Sequence, residues 1–140
     1  MTMTRILKIS LLTITVIVMC TLGAAVVGIA GQIKCTECGM FVDMNSKFTS
    51  KIVQGNTTLY FCDIGDFFSY LKRKGLQDVD AQVRDYATGE WIDAKKASYV
   101  HAENKFRSPM GWGIAAFKDK ISAAESGKVM DFNATALTFK

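Results

Sequence analysis

The feature that most constrains this chain is an N-terminal stretch that carries no charged side chain. Between Lys8 and Lys34 lie 25 uncharged, mostly apolar residues. At about 1.5 Å per residue, a helix of this length can cross a hydrocarbon layer of roughly 30 Å. Arg5 and Lys8 come before the stretch, so the positive-inside tendency keeps the N-terminus in the cytoplasm and exports the rest. We therefore expect residues 1–31 to form a transmembrane anchor or signal peptide and residues 32–140 to form a domain in the periplasm or another extracytoplasmic space.

The apolar stretch permits three fates. Retention as an uncleaved anchor in the cell membrane is the form we expect. Gly28, Ile29 and Ala30 offer small residues at the spacing that a signal peptidase reads, so cleavage before Gly31 is an alternative. Lipidation at Cys20 is a third, although the preceding Met19 is large for a lipidation site.

The exported part has a nearly balanced charge and room for one core. It carries 15 Lys and Arg against 13 Asp and Glu, which does not indicate a nucleic-acid partner. Slightly more than a hundred residues suffice for a single compact domain. The chain has one histidine, no Gly-x-Ser-x-Gly turn and no phosphate-binding glycine loop. It therefore lacks the residues that hydrolases and nucleotide-dependent enzymes usually need, and we expect that this protein is not an enzyme.

The apolar pattern predicts a repeated order of strands and helices. Asp63 is the expected N-cap of a helix that ends at Gly75. Superposing 61–63 on 117–119 brings the two halves into step. We therefore predict an α+β domain of two ββαβ units that share one core, with a mainly antiparallel sheet. The predicted strands are 47–53, 57–61, 81–87, 97–102, 112–117 and 129–132, and the predicted helices are 64–74 and 118–125.

Sulfur is concentrated after the apolar stretch. Cys35, Cys38 and Met40 lie in one short turn-rich segment, and Cys62 directly precedes the Asp63 cap. Three exported cysteines are an odd number for a disulfide framework, so a metal or a reducing partner is needed to keep them as thiols. Thiolate and thioether ligands select Cu(I) over harder ions. The segment therefore predicts a Cu(I) site.

A second unusual segment, residues 108–113, contains the only proline of the chain together with two glycines. We expect it to form a shaped loop that presents Met110 to the same soft metal. The alternative for Met110 and for Met40 is ordinary packing in the core.

Two other functions use the same cysteines. Cys35 and Cys38 are a candidate redox pair for a thiol oxidoreductase. Together with Cys62 and the sole histidine, His101, they would make a four-ligand zinc site that stabilises a structural domain. Neither spacing is typical, because the cysteine pair does not open a helix and Cys62 and His101 stand singly.

Four motifs in the same order resemble the NosL family, accessory proteins of nitrous oxide reductase. They are CGM at 38–40, DIGD at 63–66, DYATGEWIDA at 85–94, and SPMGWG at 108–113 followed by AAF at 115–117. The resemblance runs from about residue 35 to 132. It implies a paired ββαβ fold and a periplasmic Cu(I) chaperone that supplies the reductase beside a membrane transporter of the same maturation system.

The resemblance also implies specific ligands, namely Cys38 from CGM and Met110 from the proline loop. Two features depart from the family pattern. The lipidation signal that family members commonly carry is poor here, and Cys62 stands where the family often has a residue without sulfur. The number of ligands, the mode of anchoring and the client are therefore open at the level of sequence.

Overall fold

The computed structural model describes residues 31–138, so the predicted anchor lies, apart from Gly31, outside the described residues. Within this range no helix combines the length and the apolar character needed to cross a membrane. Short strands and helices alternate along the chain. In order they are β1 (Ser50–Gln54), β2 (Thr57–Phe61), α1 (Ile64–Lys74), β3 (Asp80–Arg84), β4 (Trp91–Asp93), β5 (Ser98–His101), β6 (Ile114–Phe117), α2 (Lys120–Ser126), β7 (Val129–Met130) and α3 (Phe132–Thr138).

The strands form two antiparallel sheets, each built from one half of the domain. The first has the order β2-β1-β3-β4 and the second the order β6-β5-β7. In each half a helix follows a β-hairpin and leads back to a third strand beside the first. This arrangement confirms the predicted mixture of helices with antiparallel sheet.

Helix α1 has the ends that its sequence predicts. Asp63 is extended at φ −139°, and its side chain accepts a hydrogen bond from the N–H of Gly65 at 3.0 Å. At the other end Gly75 adopts a left-handed φ of 65° and its N–H caps the carbonyls of the last turn. The helix buries Phe67, Phe68 and Leu71 on one face, so apolar spacing and capping residues agree on its extent.

The main core is built on α1 and draws on both sheets. The fully buried ring of Phe68 lies 5.3 Å, centroid to centroid, from Tyr99 of β5 and 5.3 Å from Phe132 of α3. Ile52 of β1 and Val83 of β3 belong to the same buried cluster. Removing one such aromatic ring costs about 3–5 kcal/mol in typical cores.

A buried carboxylate joins the two sheets. Asp85 accepts hydrogen bonds from Thr88 at 2.7 and 3.0 Å within its own turn and from the N–H of Lys118 at 2.9 Å in the other half. An isolated parallel bridge between Asp85 and Ala116 lies at the same junction. Asp85 opens the DYATGEWIDA motif, which also contains Trp91. The guanidinium carbon of Arg84 lies 4.1 Å from the centre of the Trp91 ring.

The prediction for the C-terminal end is wrong. The last strand was expected to run through residue 132, but it ends at Met130 and Phe132 begins helix α3. Asp131 is the cause, because its carboxylate accepts from the N–H of Ala134 at 2.7 Å and so starts a helix. Strand β4 was not predicted, since three residues are too few to show alternation.

Several predicted boundaries also shift. The expected strands 47–53, 81–87, 97–102 and 112–117 are shortened to β1, β3, β5 and β6, while β1 gains Gln54 and β3 gains Asp80. Turn-forming groups explain two of the changes. The carboxylate of Asp43 and the hydroxyl of Ser46 accept backbone hydrogen bonds before β1, and Gly113 is left-handed at φ 62° before β6. Asp119 caps α2, which therefore begins at Lys120 and not at residue 118.

Candidate metal centre

The first cysteine pair lies in a tight hairpin loop. The N–H of Cys35 donates to the carbonyl of Met40 at 2.7 Å, and the N–H of Gly39 donates back to the carbonyl of Cys35 at 2.9 Å. Gly39 has a φ of 76°, a conformation that residues with a Cβ rarely adopt. The loop therefore closes tightly enough to bring Cys38 back beside Cys35.

Two contacts hold this loop against the domain. The N–H of Thr36 donates to the carbonyl of Tyr60 in β2 at 2.8 Å. The guanidinium of Arg73 in α1 makes two hydrogen bonds to the Glu37 carboxylate, at 2.6 and 3.2 Å. The loop is thus fixed to the hairpin that ends at Cys62 and to the helix that follows it.

Three thiols and a carboxylate converge at this position. The Sγ atoms of Cys35, Cys38 and Cys62 and a carboxylate oxygen of Asp66 all lie within 4.8 Å of one another. Cys38 and Cys62 share a sulfur–sulfur hydrogen bond of 3.4 Å. The thiols of Cys35 and Cys62 donate to Asp66 Oδ2 at 3.4 and 3.5 Å. This is a compact set of potential metal ligands.

Access to the cluster is from one side. Cys35, Cys62 and Asp66 are each only 3% exposed, whereas Cys38 is partly exposed. All three cysteines are free thiols. A metal ion or a reactant therefore meets Cys38 first.

Burial also favours the protonated form of the Cys38 and Cys62 thiols. Desolvation raises the pKa of Cys38 to about 11, against the lowering effect of a hydrogen bond from the Met40 backbone. Burial, followed by the neighbouring Cys38 thiol and the other acidic groups of the cluster, raises the pKa of Cys62. A bound metal must consequently displace protons from these sulfurs.

The proline loop, residues 108–113, lies at the N-terminus of α1. The N–H of Met110 donates to Asp63 Oδ2 at 2.9 Å, and the indole N–H of Trp112 donates to Asp66 Oδ1 at 2.9 Å. A Cβ added at Gly65 would lie 2.0 Å from Cγ of Trp112, so only glycine allows this approach. The DIGD and SPMGWG motifs therefore pack directly against each other.

The other predicted ligands have different surroundings. Met40 is 50% exposed and Met110 is 41% exposed. The backbone of Met40 hydrogen-bonds to the Cys38 thiol, and the N–H of Met110 donates to Asp63, the residue after Cys62. Their role as thioether ligands stays a prediction. His101 lies at the end of β5, with Nε2 3.5 Å from a Glu103 oxygen, and does not belong to the group of converging side chains.

Sequence reasoning missed Asp66. It singled out Asp63 as the helix cap and gave Asp66 no role of its own, and in the structure Asp63 does have the N-cap position. The available signal was the position of Asp66 as the third residue of the helix that Asp63 caps, because an acidic side chain at this position reaches back towards the residues around the cap.

Comparison with known proteins identifies a family and a solved structure of similar fold. The NosL family model matches residues 26–135. The crystal structure of the copper chaperone NosL from Shewanella denitrificans has the same fold, with a TM-score of 0.60 and 21% sequence identity. The alignment covers 79% of this chain and 92% of that one. No curated protein matches the chain.

Proposed function

Because this chain belongs to the NosL family, we propose that it is a metallochaperone that binds Cu(I) outside the cytoplasm and passes it to a copper-requiring client. The family resemblance carried by the four motifs is confirmed by the family match. In this proposal residues 1–31 hold the protein at the cell membrane and residues 32–140 form the metal-binding domain. The protein transfers an ion and catalyses no reaction.

The convergence of three thiols carries the proposal. Cys35, Cys38 and Cys62 come from two separate segments, yet their sulfurs lie within 4.8 Å of one another. Sulfur ligands favour Cu(I), for which low coordination numbers suffice. Cu(I) is therefore the cargo that this set of donors fits best.

Partial exposure of Cys38 supports a transfer function. An ion held by Cys38 and the buried thiols presents one sulfur ligand to the outside. A sulfur of the client replaces Cys38 while the buried ligands still hold the metal, so copper is never released as a free ion. Met40 and Met110, both exposed beside the cluster, supply thioether ligands to this exchange. His101 has no part in it.

We propose nitrous oxide reductase as the client and a membrane transporter of the same maturation system as a partner. Family membership supports this assignment. Mixing the Cu(I)-loaded chain with the copper-free reductase, separating the two proteins and measuring the copper content of each tests it. Absence of transfer under conditions that load other copper proteins would argue for a different client.

Replacement of Cys38 tests the site. We expect Cys38→Ser in the full chain to lose the tightly bound equivalent of Cu(I), because it removes the accessible sulfur ligand. Competition with a chromogenic Cu(I) chelator measures this loss. Cys20→Ser makes the same chemical change in the apolar segment and should leave binding unchanged. Unaltered Cu(I) affinity in a folded Cys38→Ser protein would remove this residue from the site.

Zinc is a second candidate because Asp66 completes a set of four ligands. Three sulfurs and one carboxylate oxygen suit the tetrahedral coordination of Zn²⁺. We expect Asp66→Asn to weaken Zn²⁺ binding, because it replaces a charged carboxylate ligand with a neutral amide, while Cu(I) binding by the sulfurs changes less. Chelator competition with each metal measures both. A wild-type domain that binds only Zn²⁺, and unfolds when the ion is chelated, would instead identify a zinc-stabilised structural domain.

A further inference from the structure

Cys38 forms a sulfur–sulfur hydrogen bond with Cys62, which lies 24 positions further along the chain. The two Sγ atoms are 3.4 Å apart and both residues are free thiols. The Cys35 thiol instead donates to Asp66. A disulfide bond measures about 2.05 Å, so the two sulfurs need to approach by roughly 1.4 Å.

The three thiols also differ in access. Cys35 and Cys62 are each 3% exposed, so a dissolved reactant reaches neither directly. Cys38 is partly exposed and lies in contact with Cys62. In this arrangement Cys38 is placed to attack an incoming disulfide, and the buried Cys62 is placed to resolve the resulting mixed disulfide.

We propose that Cys38 and Cys62 form a redox pair that reacts with disulfide-containing small molecules or proteins and thereby closes the metal site. The sequence alone favours Cys35 and Cys38 as the redox pair. The geometry reassigns it to two residues separated by 24 positions in the chain.

The reaction is a two-step thiol–disulfide exchange. The Cys38 sulfur, after losing its proton, attacks one sulfur of the incoming disulfide, breaks its S–S bond and releases one thiol. The Cys62 sulfur, likewise deprotonated, then attacks the Cys38 sulfur of the mixed disulfide and releases the second thiol. Cys38 and Cys62 lose two electrons and two protons in total, and the incoming disulfide takes up both.

Oxidation of this pair has a consequence for metal binding that rests on the proposed function. A Cys38–Cys62 disulfide removes two of the three thiolates and leaves Cys35 and Asp66 as the remaining members of the cluster. The oxidised chain is therefore unable to take up Cu(I). In an oxidising compartment, a reductant or the metal itself keeps the site open.

Peptide mapping tests the pairing in the metal-free, reduced full chain. The probe is oxidised glutathione, after which the remaining thiols are capped with N-ethylmaleimide. Trypsin cuts after Lys34, Lys47, Lys51 and Lys72, and a glutamate-specific protease cuts after Glu37. Cys35, Cys38 and Cys62 then lie on three different peptides, 35–37, 38–47 and 52–72. Mass spectrometry without reductant reads each pairing separately.

The expected product links peptide 38–47 to peptide 52–72 and leaves Cys35 capped. A link between 35–37 and 38–47, a link between 35–37 and 52–72, a lasting glutathione adduct on Cys38, or capping of all three thiols would each overturn the proposal. Cys35→Ala should still form the link, and Cys62→Ala should stop at the glutathione adduct. If a variant does not fold, the wild-type map alone decides.

A Cu(I) titration of the same oxidised sample separates this inference from the proposed function. We expect the oxidised chain to lose its Cu(I) equivalent and a reductant to restore it. A chain with the mapped Cys38–Cys62 disulfide that still binds Cu(I) would contradict the ligand assignment while leaving the redox pair intact. A chain that binds Cu(I) but forms no such disulfide would contradict the redox pair alone.

Discussion

At the scale of single residues, Asp66 connects the thiol cluster to the proline loop. Its Oδ1 accepts from the indole N–H of Trp112 at 2.9 Å, and its Oδ2 accepts from the thiols of Cys35 and Cys62. Because Trp112 occupies one oxygen, the other stays directed at the sulfurs. Groups that orient a ligand in this way commonly change metal affinity by 10- to 100-fold when they are removed.

The protonated thiols predict a pH dependence of Cu(I) uptake. The pKa of Cys38 is raised to about 11 and that of Cys62 is also raised, both chiefly by burial, so at neutral pH each binds metal only after losing a proton. We expect the apparent Cu(I) affinity to rise with pH by about tenfold per pH unit for each proton released. Competition titrations with a Cu(I) chelator between about pH 6 and 8 measure how the apparent affinity changes with pH. A flat profile would show that thiols are not deprotonated on binding.

The cysteines and the carboxylate differ in how far sequence predicts them. Thiols are rare and chemically distinctive, so Cys35, Cys38 and Cys62 are evident as candidates without a structure. Asp66 is one of many acidic residues, and its burial depends on a tryptophan 46 positions away in the chain. Long-range packing of this kind leaves no local pattern.

At the scale of elements, the first turn of α1 organises the site. Its cap, Asp63, accepts from Met110, and its next residues place Gly65 under Trp112 and Asp66 among the thiols. Capping residues and apolar spacing made α1 predictable. Helix α3 and strand β4 were missed because they are short, at seven and three residues, and a short element shows too little periodicity to be recognised.

Replacement of Gly65 by alanine tests this organisation. Helix propensity alone favours alanine by up to about 1 kcal/mol. The added Cβ would lie 2.0 Å from the Trp112 ring, however, and overpacking typically costs about 1–3 kcal/mol. We therefore expect Gly65→Ala to lower the free energy of unfolding in urea and to weaken metal binding by displacing the loop.

A double-variant comparison isolates the cause. In the Trp112→Ala background the ring is absent, so Gly65→Ala should be neutral or slightly stabilising. If Gly65→Ala destabilises the protein equally in both backgrounds, the contact with Trp112 is not the reason for the glycine.

At the scale of the whole molecule, two sheets share one main core and meet at a buried carboxylate. Phe67 and Phe68 of α1 lie in a cluster that includes Tyr99 and Ile114 from the second sheet. Asp85 adds a polar connection, since it accepts from the backbone of Lys118 in the other half. The repeated order of elements was predictable from the sequence, whereas this junction depends on the three-dimensional approach of residues 33 positions apart.

Asp85→Asn should therefore destabilise the whole domain. The amide turns one acceptor into a donor that faces backbone N–H groups, a loss of about 1–3 kcal/mol for a buried group. Urea unfolding of the full chain measures it. Asp78→Asn is the matched control, because Asp78 is exposed and pairs only with Lys95 at the surface, where such pairs contribute about 0–1 kcal/mol. Equal stability of the two variants would contradict the junction.

The difference between wild type and Asp85→Asn should also depend on pH. Burial alone raises the pKa of Asp85, but hydrogen bonds from Thr88 and Lys118 outweigh it and set the pKa below the ordinary 3.8. A carboxylate with a lowered folded pKa stabilises the protein fully above the unfolded value and loses that contribution as the pH falls through the folded value. The stability gap should thus be constant near neutral pH and narrow below about pH 4. A gap that persists in acid would show that the ionised carboxylate is not what holds the two sheets together.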